Sequence, residues 1–179
     1  MKTLSLLRHA KAGWGGPATA DFDRALDPRG QHAAQALGRR LRELGIGFDA
    51  TVSSPAQRAV ETVEGVAEGY GRPLDPVYDP RLYLATQTVL LEVVRATDDA
   101  IDRLLLVGHN PGFALVANAL AARGDPHLRA RLSDRYPSGA FAEIALPIER
   151  WADAAEETGE LARFIRPLDL VMEGRLDAG

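Results

Sequence analysis

Two histidines and two arginines stand where apolar runs end, and those residue types specify a chemistry. The run Leu4-Ser5-Leu6-Leu7 stops at Arg8-His9, and Leu104-Leu105-Leu106-Val107 stops at Gly108-His109-Asn110. Between them, Val52-Ser53-Ser54-Pro55 leads within a few residues to Arg58. Cations and imidazoles are costly to desolvate, so a chain that ends core strands on them needs a compensating partner. Two guanidiniums and two imidazoles suit an anion with several oxygens. Phosphoryl is the best match, because arginine forks pair with its oxygens at two points. One neutral imidazole could attack phosphorus through Nε2, and nearby guanidiniums would favour that neutral form. The remaining groups would stabilise charge on the equatorial oxygens, and water would then release the phosphoryl group.

The alternatives are weaker. Cysteine is absent, which excludes disulfides, thiolate metal sites and a cysteine nucleophile. Metal binding by His9 and His109 lacks a third ligand at a recognisable spacing, so neither a metal nor an organic cofactor is expected. The other two histidines, His32 and His127, read as structural or surface residues.

The elements that must position these groups alternate between strand and helix, which predicts an α/β sheet with helices on its faces. Strands are expected over 2–7, 48–53 and 103–107. Asp27-Pro28 should open a helix to about Leu44, with Ala34, Leu37 and Leu41 inward. Ser54-Pro55-Ala56-Gln57 fits a capping box for a helix ending near Gly69. The text from Arg72 to Pro80 is loop with a little strand. Thr86 to Thr97 reads as a third helix, and Asn110-Pro111 should cap a fourth running to about Arg123. Asp125 to Tyr136 reads as a short helix and loop. Segments 139–146 and 160–166 read as strands forming an antiparallel ribbon at the sheet edge. In a parallel sheet the strand ends share one edge, where such folds bind ligands. Helix starts near Ser54 and Asn110 would add N–H groups there.

Composition agrees. At 179 residues, 46% hydrophobic and 26% charged, the chain is expected to form one domain over 1–179. Net charge is −4 with arginines scattered among acids, so no nucleic-acid partner is expected. No apolar run approaches the ~18 residues of a membrane span, and no signal peptide is evident at the N-terminus, so a cytoplasmic location is the expectation.

The quoted segments also resemble a known family. "LLRHAKA" is similar to the Arg-His-Gly signature of the histidine phosphatase superfamily, with Ala10 in the glycine position. "VSSPAQRAVET" and "LLLVGHNPG" resemble its second and third blocks, in family order. "DFDRALDPRGQHAAQALG" fits the short SixA-type phosphohistidine phosphatases of branch 1. The resemblance implies a phosphoglycerate mutase-like, three-layer, mostly parallel sheet flanked by helices. It implies His9 as nucleophile, Arg8 and Arg58 as phosphate clamps, and His109 as a transition-state support.

The glutamate that serves mutase-like members as general acid has no counterpart in "YDPRLYLAT", where Arg81 occupies the place searched. Asp79, Asp23 and Asp21 are the substitute acids to consider. Only about fifteen residues separate Gly71 from Thr86, too few for the helical cap insert of the mutases. A short, open form suits phosphohistidine on a protein such as a phosphotransfer domain, because that leaving group needs less acid assistance. A small phosphometabolite hydrolysed as a phosphomonoester, and a phosphate-binding module without catalysis, remain as alternatives.

Overall fold

The computed structural model describes residues 1–177. Its frame is one seven-stranded sheet in the order β3-β2-β4-β1-β6-β7-β5. The strands are β1 (Lys2–Arg8), β2 (Ala50–Ser53), β3 (Val77–Tyr78), β4 (Arg103–Gly108), β5 (Ala121–Gly124), β6 (Phe141–Leu146) and β7 (Gly159–Ile165). The helices are α1 (Pro28–Glu43), α2 (Gln57–Tyr70), α3 (Gln87–Arg95), α4 (Gly112–Leu120), α5 (Pro126–Asp134) and α6 (Pro167–Met172). All strand pairs are parallel except those made by β6, which runs antiparallel to both β1 and β7.

Strand alternation decides the layers. Leu4, Leu6, Leu104 and Leu106 pack into the core under α3, α4 and α5. Their neighbours Leu7, Leu105 and Val107 face the opposite core with α1 and α2. A sheet covered on both faces reads as continuous apolar runs, which is why β1 and β4 stand out in the sequence. At roughly 25 cal/mol per Å² of apolar surface, each fully buried leucine on these strands contributes about 2 kcal/mol.

Local signals place several helix starts. Asp27 accepts a hydrogen bond from Gly30 N at 2.7 Å and Thr86 from Val89 N at 3.3 Å, so both cap as their sequences suggest. Four expectations need correction. The capping box at Ser54 does not form: α2 begins at Gln57 with Ala56 at its N-cap and no side-chain cap. Asn110-Pro111 is a cis peptide, and α4 begins one residue later at Gly112. That helix stops at Leu120, because Ala121 to Gly124 pairs with β7 as a seventh strand. The ribbon β6–β7 is not the edge, since β6 pairs with β1 and β5 closes that side. Arg166 and Asp169 box the start of α6, an element with no sequence forecast.

The α1–α2 contact relies on glycine. A Cβ on Gly69 would sit 1.9 Å from the Gln35 carbonyl oxygen, and one on Gly38 would sit 2.1 Å from that of Val66. In an open helix, Gly→Ala stabilises by roughly 1 kcal/mol. Here the sign should reverse: Gly69→Ala should destabilise by about 1–3 kcal/mol through overpacking of the two backbones. Chemical denaturation measures this, and a Gly69→Ala protein at least as stable as the parent would contradict the packing.

Candidate active site

Parallel pairing brings the chemistry-bearing strand ends together. Arg8 lies opposite Gly108 across β1–β4, and Ser53 lies opposite Val107 across β2–β4. The residues just beyond these ends, His9, Ser54 and His109, therefore meet at one edge. The His9 and His109 ring centroids are 5.2 Å apart. His9 N donates to Gly108 O at 2.9 Å and Ser54 N to Val107 O at 2.9 Å, which ties all three strand ends together.

His9 is fixed in one tautomer. Its Nδ1 lies 2.7 Å from the carbonyl oxygen of Ala10. A carbonyl can only accept, so Nδ1 carries the proton and Nε2 keeps its lone pair. Burial first, then the Arg58 and Arg8 charges, push the His9 pKa down to about 4, partly offset by this bond. The ring is therefore neutral at neutral pH. Thr62 holds the loop from behind: its Oγ1 accepts from Ala10 N at 2.9 Å and donates to Arg58 O at 2.6 Å.

His109 is set by Ser54. Ser54 Oγ accepts from Ala56 N at 3.2 Å and lies 2.7 Å from His109 Nε2. When the hydroxyl donates its proton to Nε2, the proton of His109 sits on Nδ1. Burial, with the nearby His9 and Arg58, depresses its pKa to about 3. That Nδ1 and Arg8 Nε are buried without a hydrogen-bond partner among the described residues. Uncompensated buried donors are costly, and an anion is the partner that two such donors and two guanidiniums fit.

The arginines are held from different sides. Arg8 Nη1 donates to Tyr136 O at 2.9 Å, and Asn110 Nδ2 donates to the same carbonyl at 2.8 Å. Arg58 is buried and pairs with Asp21, whose Oδ2 lies 3.0 Å from Nη2 and whose main-chain oxygen accepts from Nη1. Tyr83 Oη donates to the same Asp21 Oδ2 at 2.7 Å, and its ring stands edge-on to His109 with centroids 5.4 Å apart. Phe22 packs edge-on against Tyr83 at 5.0 Å.

The three aspartates differ. Asp21 touches the cluster, but its bonds to Tyr83 and Arg58 hold its pKa at about 2. It stands as a carboxylate that orients Arg58 and Tyr83. Asp79 caps the turn Pro80–Leu82 and forms a bidentate pair with Arg81, which keeps its carboxyl ionised. Asp23 is exposed in the turn Asp21–Asp23. Ser54, Tyr83 and Asn110 were missed by sequence reasoning as site residues. Ser54 was legible only as a cap, and Tyr83 lies in the very segment searched for a carboxylic acid. Trp14 stands 73% exposed in the glycine-bearing first loop.

Comparison with known proteins accords with the fold. Residues 4–83 match the model of the histidine phosphatase superfamily, branch 1. An uncharacterised protein of Mycobacterium leprae is 33% identical over 165 residues, covering 90% of this chain and 99% of the relative. A candidate phosphohistidine phosphatase SixA from Nakamurella multipartitia superposes with a TM-score of 0.79 at 30% identity, over 93% of this chain and 96% of that one. Another from Agrobacterium tumefaciens gives 0.78 at 26% identity, over 93% and 98%.

The tautomer and charge assignment of His9 can be read directly. In an imidazole 15N NMR titration, His9 should remain the neutral Nδ1–H form from pH 8 to about 5 and protonate with a midpoint near 4. A midpoint between 6 and 7, or an Nε2–H tautomer, would contradict it. On sequence and fold together, the chain belongs to the histidine phosphatase superfamily, branch 1, and is a phosphatase.

Proposed function

We propose that this phosphatase works through a covalent intermediate on His9 and acts on phosphohistidine carried by a protein. The observation that carries the reading is the Nδ1–H bond to Ala10, which leaves Nε2 of His9 as an unprotonated nucleophile beside two guanidiniums. In the first step the Nε2 lone pair forms a bond to phosphorus while the bond from phosphorus to the leaving group breaks. Arg8, Arg58 and the Nδ1–H of His109 carry the charge on the equatorial oxygens. In the second step water attacks phosphorus, the P–Nε2 bond breaks, and the water's proton leaves with inorganic phosphate. His9 returns to its starting form, with no metal in either step.

The leaving group separates the substrate classes. An alkoxide must be protonated as it departs. A phosphorylated imidazole already protonated on its other nitrogen departs as a neutral ring. Asp21 is held as a carboxylate by Tyr83 and Arg58, and Asp79 by Arg81, which supports the leaving group that needs no acid. Residues 72–85 form a short connection rather than a helical cover, which supports a substrate as large as a protein side chain. Exposed Asp23 supplies the rival reading, a small-molecule phosphomonoesterase with that residue as acid.

The test compares turnover of a histidine-phosphorylated phosphotransfer domain with a panel of sugar phosphates and nucleotides. The protein substrate should show the higher kcat/KM, EDTA should leave it unchanged, and His9→Ala should lower it at least ~10³-fold. A phosphomonoester turned over faster, with the rate lost in Asp23→Asn, would establish the rival instead.

A further inference from the structure

An open cleft of about 1000 Å³ lies beside the strand-end cluster, between α1, the end of α5 and α6. Nothing in the phosphoryl chemistry uses it. It shares a wall with the site. Pro137 and Ser138 line the cleft, and the next residue, Gly139, donates its N–H to the carbonyls of Arg8 and His9 at 3.1 and 2.9 Å. Lys11, two residues beyond His9, lines it as well.

The cleft's charge runs against that of the chain. Net charge is −4, yet Lys11, Arg29, Arg39, Arg135, Arg166 and Arg175 line the cleft against only Asp134 and Asp177. Lys11, Arg166 and Arg175 are paired with Asp27, Asp169, Glu43 and Glu173. Arg39 and Arg135 are exposed and make no ion pair among the described residues. Arg135 is also among the charges acting on Arg8. Along α1 the cleft is lined by Ala33 and by the polar residues Arg29, His32, Gln35 and Arg39. Their steps of three and four make a single helical stripe about 15 Å long. Opposite it, α6 offers an apolar floor of Pro167, Leu168 and Val171, with Leu168 57% exposed.

We infer that this cleft docks an acidic surface segment flanking the phosphohistidine of a protein substrate. An exposed aliphatic centre with a basic rim has the anatomy of a protein interface. The exposed, unpaired charges of Arg39 and Arg135 would steer an acidic partner toward His9. A nucleic acid fits less well, because no Phe, Tyr or Trp lines the cleft to stack on bases. The inference rests on the protein-phosphohistidine reading above and adds where that protein is held.

The test uses the full chain and two substrates: a histidine-phosphorylated phosphotransfer domain with an acidic surface, and free phosphohistidine. Arg39→Glu combined with Leu168→Glu should raise KM for the protein roughly tenfold and flatten its dependence on ionic strength. The same variant should keep kcat/KM on free phosphohistidine within about twofold, which also shows that the site is folded. Arg39→Glu alone, on an exposed helix face, should move the protein KM in the same direction by a smaller factor. Unchanged KM on the protein, or equal losses on both substrates, would overturn the docking cleft. So would a short oligonucleotide that competes for the cleft more tightly than the protein. A wild-type enzyme that cleaves free phosphohistidine but not the protein would instead overturn the substrate reading, and the cleft with it.

Discussion

In-register parallel pairing of β1, β4 and β2 is the constraint on which the rest depends. It sets Arg8 opposite Gly108 and Ser53 opposite Val107, so three separate segments end on one line. β1 and β4 are held by burial on both faces, and a slip of one residue would turn their leucines to the wrong core. The precision of the site is thus inherited from apolar packing well below it. His9, Ser54 and His109 need no long-range search for one another once the register is set.

The site then works against ordinary electrostatics. Two imidazoles and two guanidiniums are gathered where water is scarce, and the imidazoles respond by losing their protons. Among the described residues one carboxylate, Asp21, reaches in, and it binds Arg58 and Tyr83. The cluster is left with more donors than acceptors, seen in the unpartnered Arg8 Nε and His109 Nδ1. In the proposed reaction a phosphoryl group supplies the missing acceptors, and its three equatorial oxygens present them at the in-line, trigonal-bipyramidal transition state.

Much of this was legible in the sequence where the signal was local. Asp27-Pro28 and Thr86 announce helix starts because a cap is a matter of two or three residues. Arg8-His9, Arg58 and His109 stand out because charge at the end of an apolar strand is costly and rare. Ser54 misled for the same reason: its text fits a cap, but its hydroxyl binds a histidine 55 residues away. Ala121 to Gly124 continued a helical pattern, yet pairing with β7 pulled it into the sheet. The Asp21–Arg58–Tyr83 contact joins three loops and helix starts, and no spacing in the chain encodes it. The helical period joins the α1 stripe of the basic cleft, but nothing local joins it to the residues from the end of α5 and the C-terminal segment.

The central claim is that Nδ1 of His9 is occupied by Ala10 and Nε2 does the chemistry. The most direct measurement traps the intermediate by rapid alkaline quench with a phosphorylated substrate, then maps the phosphate by mass spectrometry and assigns its nitrogen by 31P NMR. Acid-labile phosphate on Nε2 of His9 is the result expected. Phosphate on Nδ1, on His109, or no covalent phosphate during turnover would contradict the account.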